Sequence, residues 1–199
     1  MKKVILVLSL IMLHVSFGAA QTAKEVLDKC AATLTAKEGL RADFTMESAQ
    51  YGSASGTIAV KGRMFHATTS VAAMWFDGKT QWTYMKKNDE VNVTTPSESE
   101  LQAFNPYNFI NMYKKGYKYS MTTADKSYKV HITATSCMKI SEMFITVDKS
   151  SYQPSEVKML QGKKWTTFTI SNLKKVAMAD AEFRFNSKDY PTAEVIDLR

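Results

Sequence analysis

The feature that most constrains this chain is a change of period at Leu40. From there on apolar and polar side chains alternate, with one interruption in mid-chain. Phe44 and Met46 point one way while Asp43, Thr45 and Glu47 point the other, and Ile58 and Val60 alternate with Thr57 and Lys61. Met64 to Ser70, Trp75-Phe76, Gln81 to Met85 and the pair Val91 and Val93 continue the series, with Asp77-Gly78 as a tight turn between two of them. After the interruption come Tyr128, Val130 and Ile132, then Met143, Ile145 and Val147, then Val157 and Met159, then Trp165 to Ile170. Phe183-Arg184-Phe185 reads as a last short strand, and 186–199 has no clear period. A period of two belongs to strands with one apolar face. Turn residues between the runs predict about ten strands in a meandering antiparallel sheet. Each apolar face position has a plain reading as core.

Helical signals occur at three places. Thr22-Ala23-Lys24-Glu25 is a capping box, followed by Val26, Leu27, Cys30, Ala31 and Leu34 at helical spacing, with Gly39 as the stop. A second box, Ser97 to Glu100, precedes Leu101 and Phe104. Asn105-Pro106 then opens a helix with Tyr107, Ile110 and Tyr113 on its stripe and Gly116 at its end. Each helix has a single apolar stripe and must lie on something. The fold class is therefore mainly β with a few helices.

Residues 1–20 read as an address rather than as structure. Lys2 and Lys3 precede an almost wholly apolar run from Val4 to Phe17, and Gly18-Ala19-Ala20 places small residues where a signal peptidase reads. The run is short for a membrane span, so a cleaved secretory signal is expected rather than an uncleaved anchor. Gln21 stands where a lipoprotein signal would place Cys. Residues 21–199 are then one exported, soluble domain, and the formal charge of +7 falls to +5 when Lys2 and Lys3 are removed. The lysine pairs Lys86-Lys87, Lys114-Lys115, Lys163-Lys164 and Lys174-Lys175 are dispersed along the sequence rather than clustered among stacking aromatics, which argues against nucleic acid.

Catalytic patterns are absent from the sequence. There is no HExxH, CxxC or P-loop, and Gly52-Ser53-Ala54-Ser55-Gly56 misses a nucleophile elbow because Ala54 holds its centre. His66 and His131 lie in predicted strands beside Thr or Lys and read as surface positions. No enzyme, cofactor or metal site is expected. Cys30 and Cys137 have two readings: a disulfide closing a long loop in an oxidising compartment, or a Cys30 buried as a small hydrophobe on its helix.

Asp77-Gly78-Lys79-Thr80-Gln81-Trp82-Thr83-Tyr84 resembles the D-G-x-x-x-W-x-Y hairpin of the periplasmic outer-membrane lipoprotein carriers, the LolA-like family. Other segments fall in that family's order: Ala42-Asp43-Phe44-Thr45, a G-x-I-x-V-K strand at Gly56 to Lys61, Asn105-Pro106-Tyr107, and Phe183-Arg184-Phe185 before a tail at Pro191. The chain looks closest to the branch found in Bacteroidetes-type bacteria. The resemblance implies an unclosed antiparallel half-barrel with a helical lid (LolA/LolB-like), acting as a monomer. It implies a periplasmic chaperone that takes acylated lipoproteins from an inner-membrane lipoprotein-releasing transporter to the outer membrane, where the residues do not identify the acceptor.

Such a carrier hides acyl chains from water, worth about 0.8 kcal/mol per methylene and on the order of 10 kcal/mol per chain. On this reading the cavity candidates are Phe44, Met46, Ile58, Val60, Met64 and Phe65, then Trp75, Trp82, Tyr84 and Ile110, then Ile132, Ile145 and Phe168. Strand facing is the assumption behind all of them. The family's lid arginine aligns with Lys61 or Gly62, and Lys61 and Arg63 are the candidates for lid control and hand-over. Two other readings stay open: a binder of another lipid or hydrophobic ligand, and a partner-binding stress-sensing half-barrel. Sensors of that class are expected to carry a further C-terminal domain.

Overall fold

In the computed structural model, which describes residues 21–35, 37–97, 100, 101 and 112–199, Thr22 caps helix α1 (Ala23–Thr33) as the sequence predicts. Its hydroxyl accepts from the Glu25 amide at 3.3 Å, and its own amide donates to the Glu25 carboxylate at 2.9 Å. The box at Ser97 and Glu100 forms in the same way. The helix read at Asn105-Pro106, with Tyr107 and Ile110, lies outside the described residues, as does the segment 1–20.

The rest is sheet. Strands β1 (Leu40–Ser48), β2 (Gly52–Lys61), β3 (Met64–Thr69), β4 (Ala72–Phe76), β5 (Gln81–Met85) and β6 (Glu90–Thr94) form one meander. Strands β7 (Tyr117–Thr123), β8 (Ser127–Ala134), β9 (Ile140–Asp148), β10 (Pro154–Gln161) and β11 (Lys164–Lys175) form another. β11 pairs with β1 and joins the two, and β12 (Glu194–Asp197) adds in parallel to β6. The lateral order is β12-β6-β5-β4-β3-β2-β1-β11-β10-β9-β8-β7. β12 and β7 are its two edges, so the sheet is an unclosed half-barrel.

Three details of the sequence reading are corrected. Among the described residues there are twelve strands rather than about ten, and β2 begins at Gly52, well before the Ile58 and Val60 alternation that marks it in the sequence. Phe183-Arg184-Phe185 is not a strand: Asp180–Phe183 is a 3₁₀ turn closed by Glu182 bonding back to Ala179, and Phe183 is fully buried. An apolar-polar-apolar triplet fits either structure, and the local bonds decide. The tail without a period supplies β12, an edge strand too exposed to show alternation.

The larger covers of the two meanders lie on opposite faces, and Leu101 adds a small cluster with Phe65 and Phe76 on the concave side of β3 and β4. On the concave side of β7–β10, α1 sets Val26, Leu27, Cys30 and Ala31 onto Val130, Ile132, Met143 and Val147, the largest core cluster. On the convex side of β1–β6, the C-terminal tail lays Met178 and Phe183 on Ala59, flanked by Met64. The rings of Phe185 and Tyr190 meet Trp75, each at 5.6 Å between centroids. The Lys61 ammonium donates to the Met178 carbonyl and to Asp180, both at 2.8 Å, and Arg41 pairs with Glu182 at 3.2 Å. At Gly56 a Cβ would collide with the Thr68 carbonyl, so only glycine lets β3 approach β2 there.

Candidate functional site

Parity decides which residues face inward. On β1 the even positions Leu40, Ala42, Phe44 and Met46 face the concave side. Register carries this to Ala54, Ile58 and Val60 on β2, then to Phe65, Ala67 and Thr69 on β3. On β11, Phe168 and Ile170 stand opposite Met46 and Phe44. A bulge follows, with Asn172 at φ 53° and its side-chain amide donating to Asp43, and it switches parity so that Leu173 also turns inward. A second irregularity, between Pro154 and Glu156 on β10, brings both Pro154 and Val157 to the same side.

These walls and the edge of α1 enclose a cavity of about 350 Å³. Large residues stand beside small ones across its floor: Ile58 pairs with Ala42 and Ala67, and Met46 with Ala54. The alanines leave the space that a filled core would occupy. Two hydroxyls line the described wall, and both are engaged locally. Thr69 accepts from the Val71 and Ala72 amides and donates to the Ala72 carbonyl, while Tyr113 donates to Asp28 outside the cavity. Cys30 adds a thiol that burial pushes up to about 12, so it stays neutral. The described cavity wall therefore offers apolar contact and no charge.

Seven of the cavity candidates line this space: Phe44, Met46, Ile58 and Val60, with Phe65, Ile145 and Phe168. Met64, Trp75, Trp82 and Tyr84 do not. They lie on the convex side, where the tail covers Met64 and Trp75, and Tyr84 meets the Tyr190 ring at 4.6 Å. Ile132 faces the concave side but is packed under α1, and Ile110 is outside the described residues. Lys61 belongs to the convex side as well, tied to the tail, while Arg63 is exposed in the β2–β3 turn. The disulfide reading is corrected: Cys30 is buried, Cys137 is exposed, and both are free. His66 is half-buried rather than a surface position. It stacks on Trp75 at 5.0 Å, and burial, followed by the nearby Arg41, holds its pKa below the usual value.

The sequence reading missed Ala42, Ala54, Ala67, Ala72 and Leu173. Four alanines at inward positions of neighbouring strands were a signal, because a tightly packed face would carry larger residues there.

An unclosed half-barrel whose described walls line an uncharged, carbon-walled space has the shape to accommodate apolar chains. The chain belongs to the family described as outer membrane lipoprotein carrier protein LolA, whose family model matches residues 15–163. No curated protein matches it. Among solved structures, an uncharacterized conserved protein from Thermus thermophilus is similar at 13% identity and TM-score 0.59, over 89% of this chain and 99% of that one. A putative outer membrane lipoprotein-sorting protein domain from Vibrio parahaemolyticus is similar at 13% identity and TM-score 0.45, over 85% and 97%. The lipoprotein LppX of Mycobacterium tuberculosis is similar at 8% identity and TM-score 0.47, over 76% and 94%. No described helix is long and apolar enough to cross a membrane.

Proposed function

We propose that this protein is a periplasmic lipoprotein carrier, cut from its signal after Ala20, which holds the acyl chains of lipoproteins in the concave cavity and moves them toward the outer membrane. The observation that carries the reading is the wall itself: about 350 Å³ of space whose hydroxyls are already satisfied and whose thiol is neutral. A polar ligand would lose its hydration there without compensation, at roughly 1–3 kcal/mol for each unpaired group. An alkyl chain gains about 0.8 kcal/mol per methylene. Binding and release are the whole function, and the donor is an inner-membrane transporter that extracts the cargo.

The cavity size favours one second reading. Its volume lies at the low end of the range of roughly 300–1,000 Å³ usual for small-molecule sites. That suits a single-chain lipid without rearrangement, whereas a lipoprotein with several chains requires the cavity walls to move apart. Mass spectrometry of the protein purified from its own cells separates the two. Co-purified acylated lipoprotein, together with lipoproteins stranded in the inner membrane on depletion, supports the carrier. A bound free lipid with normal lipoprotein sorting supports the second reading and sinks the first.

A further inference from the structure

The lysine pairs that are dispersed in sequence are gathered by the topology. In an antiparallel sheet alternate connections emerge at one end. At one end of this sheet lie the connections at 49–51, 70–71, 86–89, 135–139 and 162–163, with 114–116 leading into β7. Three of the four pairs stand there: Lys86-Lys87, Lys163-Lys164 and Lys114-Lys115, all exposed. Asp89 is the one carboxylate within these connections, and it accepts the Tyr84 hydroxyl, with Glu90 beginning β6 and Glu194 beginning β12 beside it, so the lysines of this end outnumber its carboxylates. At the other end, the connections 62–63, 77–80, 124–126 and 149–153 mix the two signs, with Asp77 and Asp125 among their lysines and arginine.

The same rim holds exposed carbon. Tyr51 is 50% exposed at the β1–β2 turn, Val71 is 61% exposed at the β3–β4 turn, and Met85 and Met138 stand near Lys86 and Lys139. Val71 is held out rather than loose: the Lys86 amide donates to its carbonyl, the Lys86 ammonium donates to the Thr69 carbonyl, and Thr69 bonds its amide. Val71 also sits between two residues of the cavity wall, Thr69 and Ala72. The exposed tip and the cavity are thus continuous along the β3–β4 hairpin.

We infer that this rim is a docking surface for an anionic phospholipid bilayer, with the lysine pairs on the headgroups and Val71 and Tyr51 entering the interface, so that the cavity meets the membrane at the β3–β4 hairpin. Charge complementarity selects the occupant. A protein partner would need only some of these loops, whereas a flat anionic surface can meet staggered cations and isolated apolar tips together. Each lysine close to such a surface strengthens partition about fivefold. The inference deepens the carrier reading by naming where acyl chains enter and leave.

The test is vesicle co-sedimentation of the purified protein, with an acyl-chain fluorophore measured in parallel. Vesicles of phosphatidylglycerol and phosphatidylethanolamine should bind it, and vesicles of phosphatidylcholine should not. Raising the salt from about 0.05 to 0.5 M should remove most of the binding. Reversing Lys86, Lys87, Lys163 and Lys164 to Glu should lower partition by more than about a hundredfold. The milder change of the same four to Gln, and Val71→Asp alone, should lower it less, and reversing Lys79, Lys126 and Lys149 at the other end should leave it unchanged. All of these variants should still bind the fluorophore. Partition that ignores vesicle charge, or that survives the rim reversals, overturns the docking surface and leaves the cavity reading standing. Loss of fluorophore binding in the unaltered protein overturns the cavity reading and leaves docking to be read from partition alone.

Discussion

The two meanders of this sheet use the same alternation for opposite ends. Under β7–β10 the concave face is filled: α1 presses on Val130, Ile132, Met143 and Val147, and the convex face carries a half-exposed row of His131, Phe144 and Trp165. Under β1–β4 most of the concave face borders the cavity, with Leu101 packed on Phe65 and Phe76 toward β3 and β4, and the convex face is covered by Met178, Phe183 and the Phe185–Tyr190 aromatic group. A strand needs one well-packed face to be held in place. Giving the convex face of β1–β6 its own cover frees the concave face from that duty. The tail therefore stabilises the half of the sheet whose interior borders the cavity.

The contrast breaks most readily at the filled half. Ile132→Ala should cost about 2–5 kcal/mol in a urea unfolding series, while Phe44→Ala, which enlarges a space already empty, should cost less than about 1.5 kcal/mol. Equal losses would mean that the hollow half is packed as tightly as the other. Next in size is the effect of filling the hollow: Ala67→Leu, set between Ile58 and Met74, should weaken binding of an acyl fluorophore about tenfold, about 1.4 kcal/mol, with unfolding unchanged. Retained affinity would place the ligand elsewhere.

The covered convex face gives a pH signature. His66 has its pKa lowered in the folded state, by burial first, so between that value and the ordinary 6.5 the unfolded chain binds the extra proton. Stability should thus be level above pH 6.5 and fall as pH drops below it, by no more than about 1.4 kcal/mol per pH unit. His66→Gln should flatten the fall in that window, as read by melting between pH 7.5 and 5. The smallest effect belongs to the tail's ion pair. Asp180→Asn removes a partner of Lys61 that is 70% exposed and should cost under about 1 kcal/mol by the same melt. A larger loss would show the tail to be held mainly by charge rather than by Met178 and Phe183.

Much of the architecture was legible because alternation survives wherever only one face is covered. β1, β8 and β9 show it plainly, and the inward facing of Phe44, Met46 and Ile145 follows from it. β4 does not show it: Ala72-Ala73-Met74-Trp75-Phe76 is apolar throughout because both of its faces are occupied. With no polar side to orient it, the large rings draw the choice, and the sequence reading assigns Trp75, Trp82 and Tyr84 to the cavity when they stand on the convex side. The cover itself was hidden because it is not periodic. Phe183, Phe185 and Tyr190 come from turns and 3₁₀ segments, whose spacing carries no face. Leu173 escaped for a related reason, since the bulge at Asn172 reverses the parity that alternation assumes.

The central claim is that cargo occupies the concave side of β1–β4 and never the convex side. A photo-crosslinking residue placed at Phe44 or Ile58, and separately at Trp82, in cells producing the protein tests it most directly. Crosslinks to lipid-modified proteins from positions 44 and 58, and none from 82, are the predicted result; crosslinks from 82 with none from 44 and 58 would contradict the account.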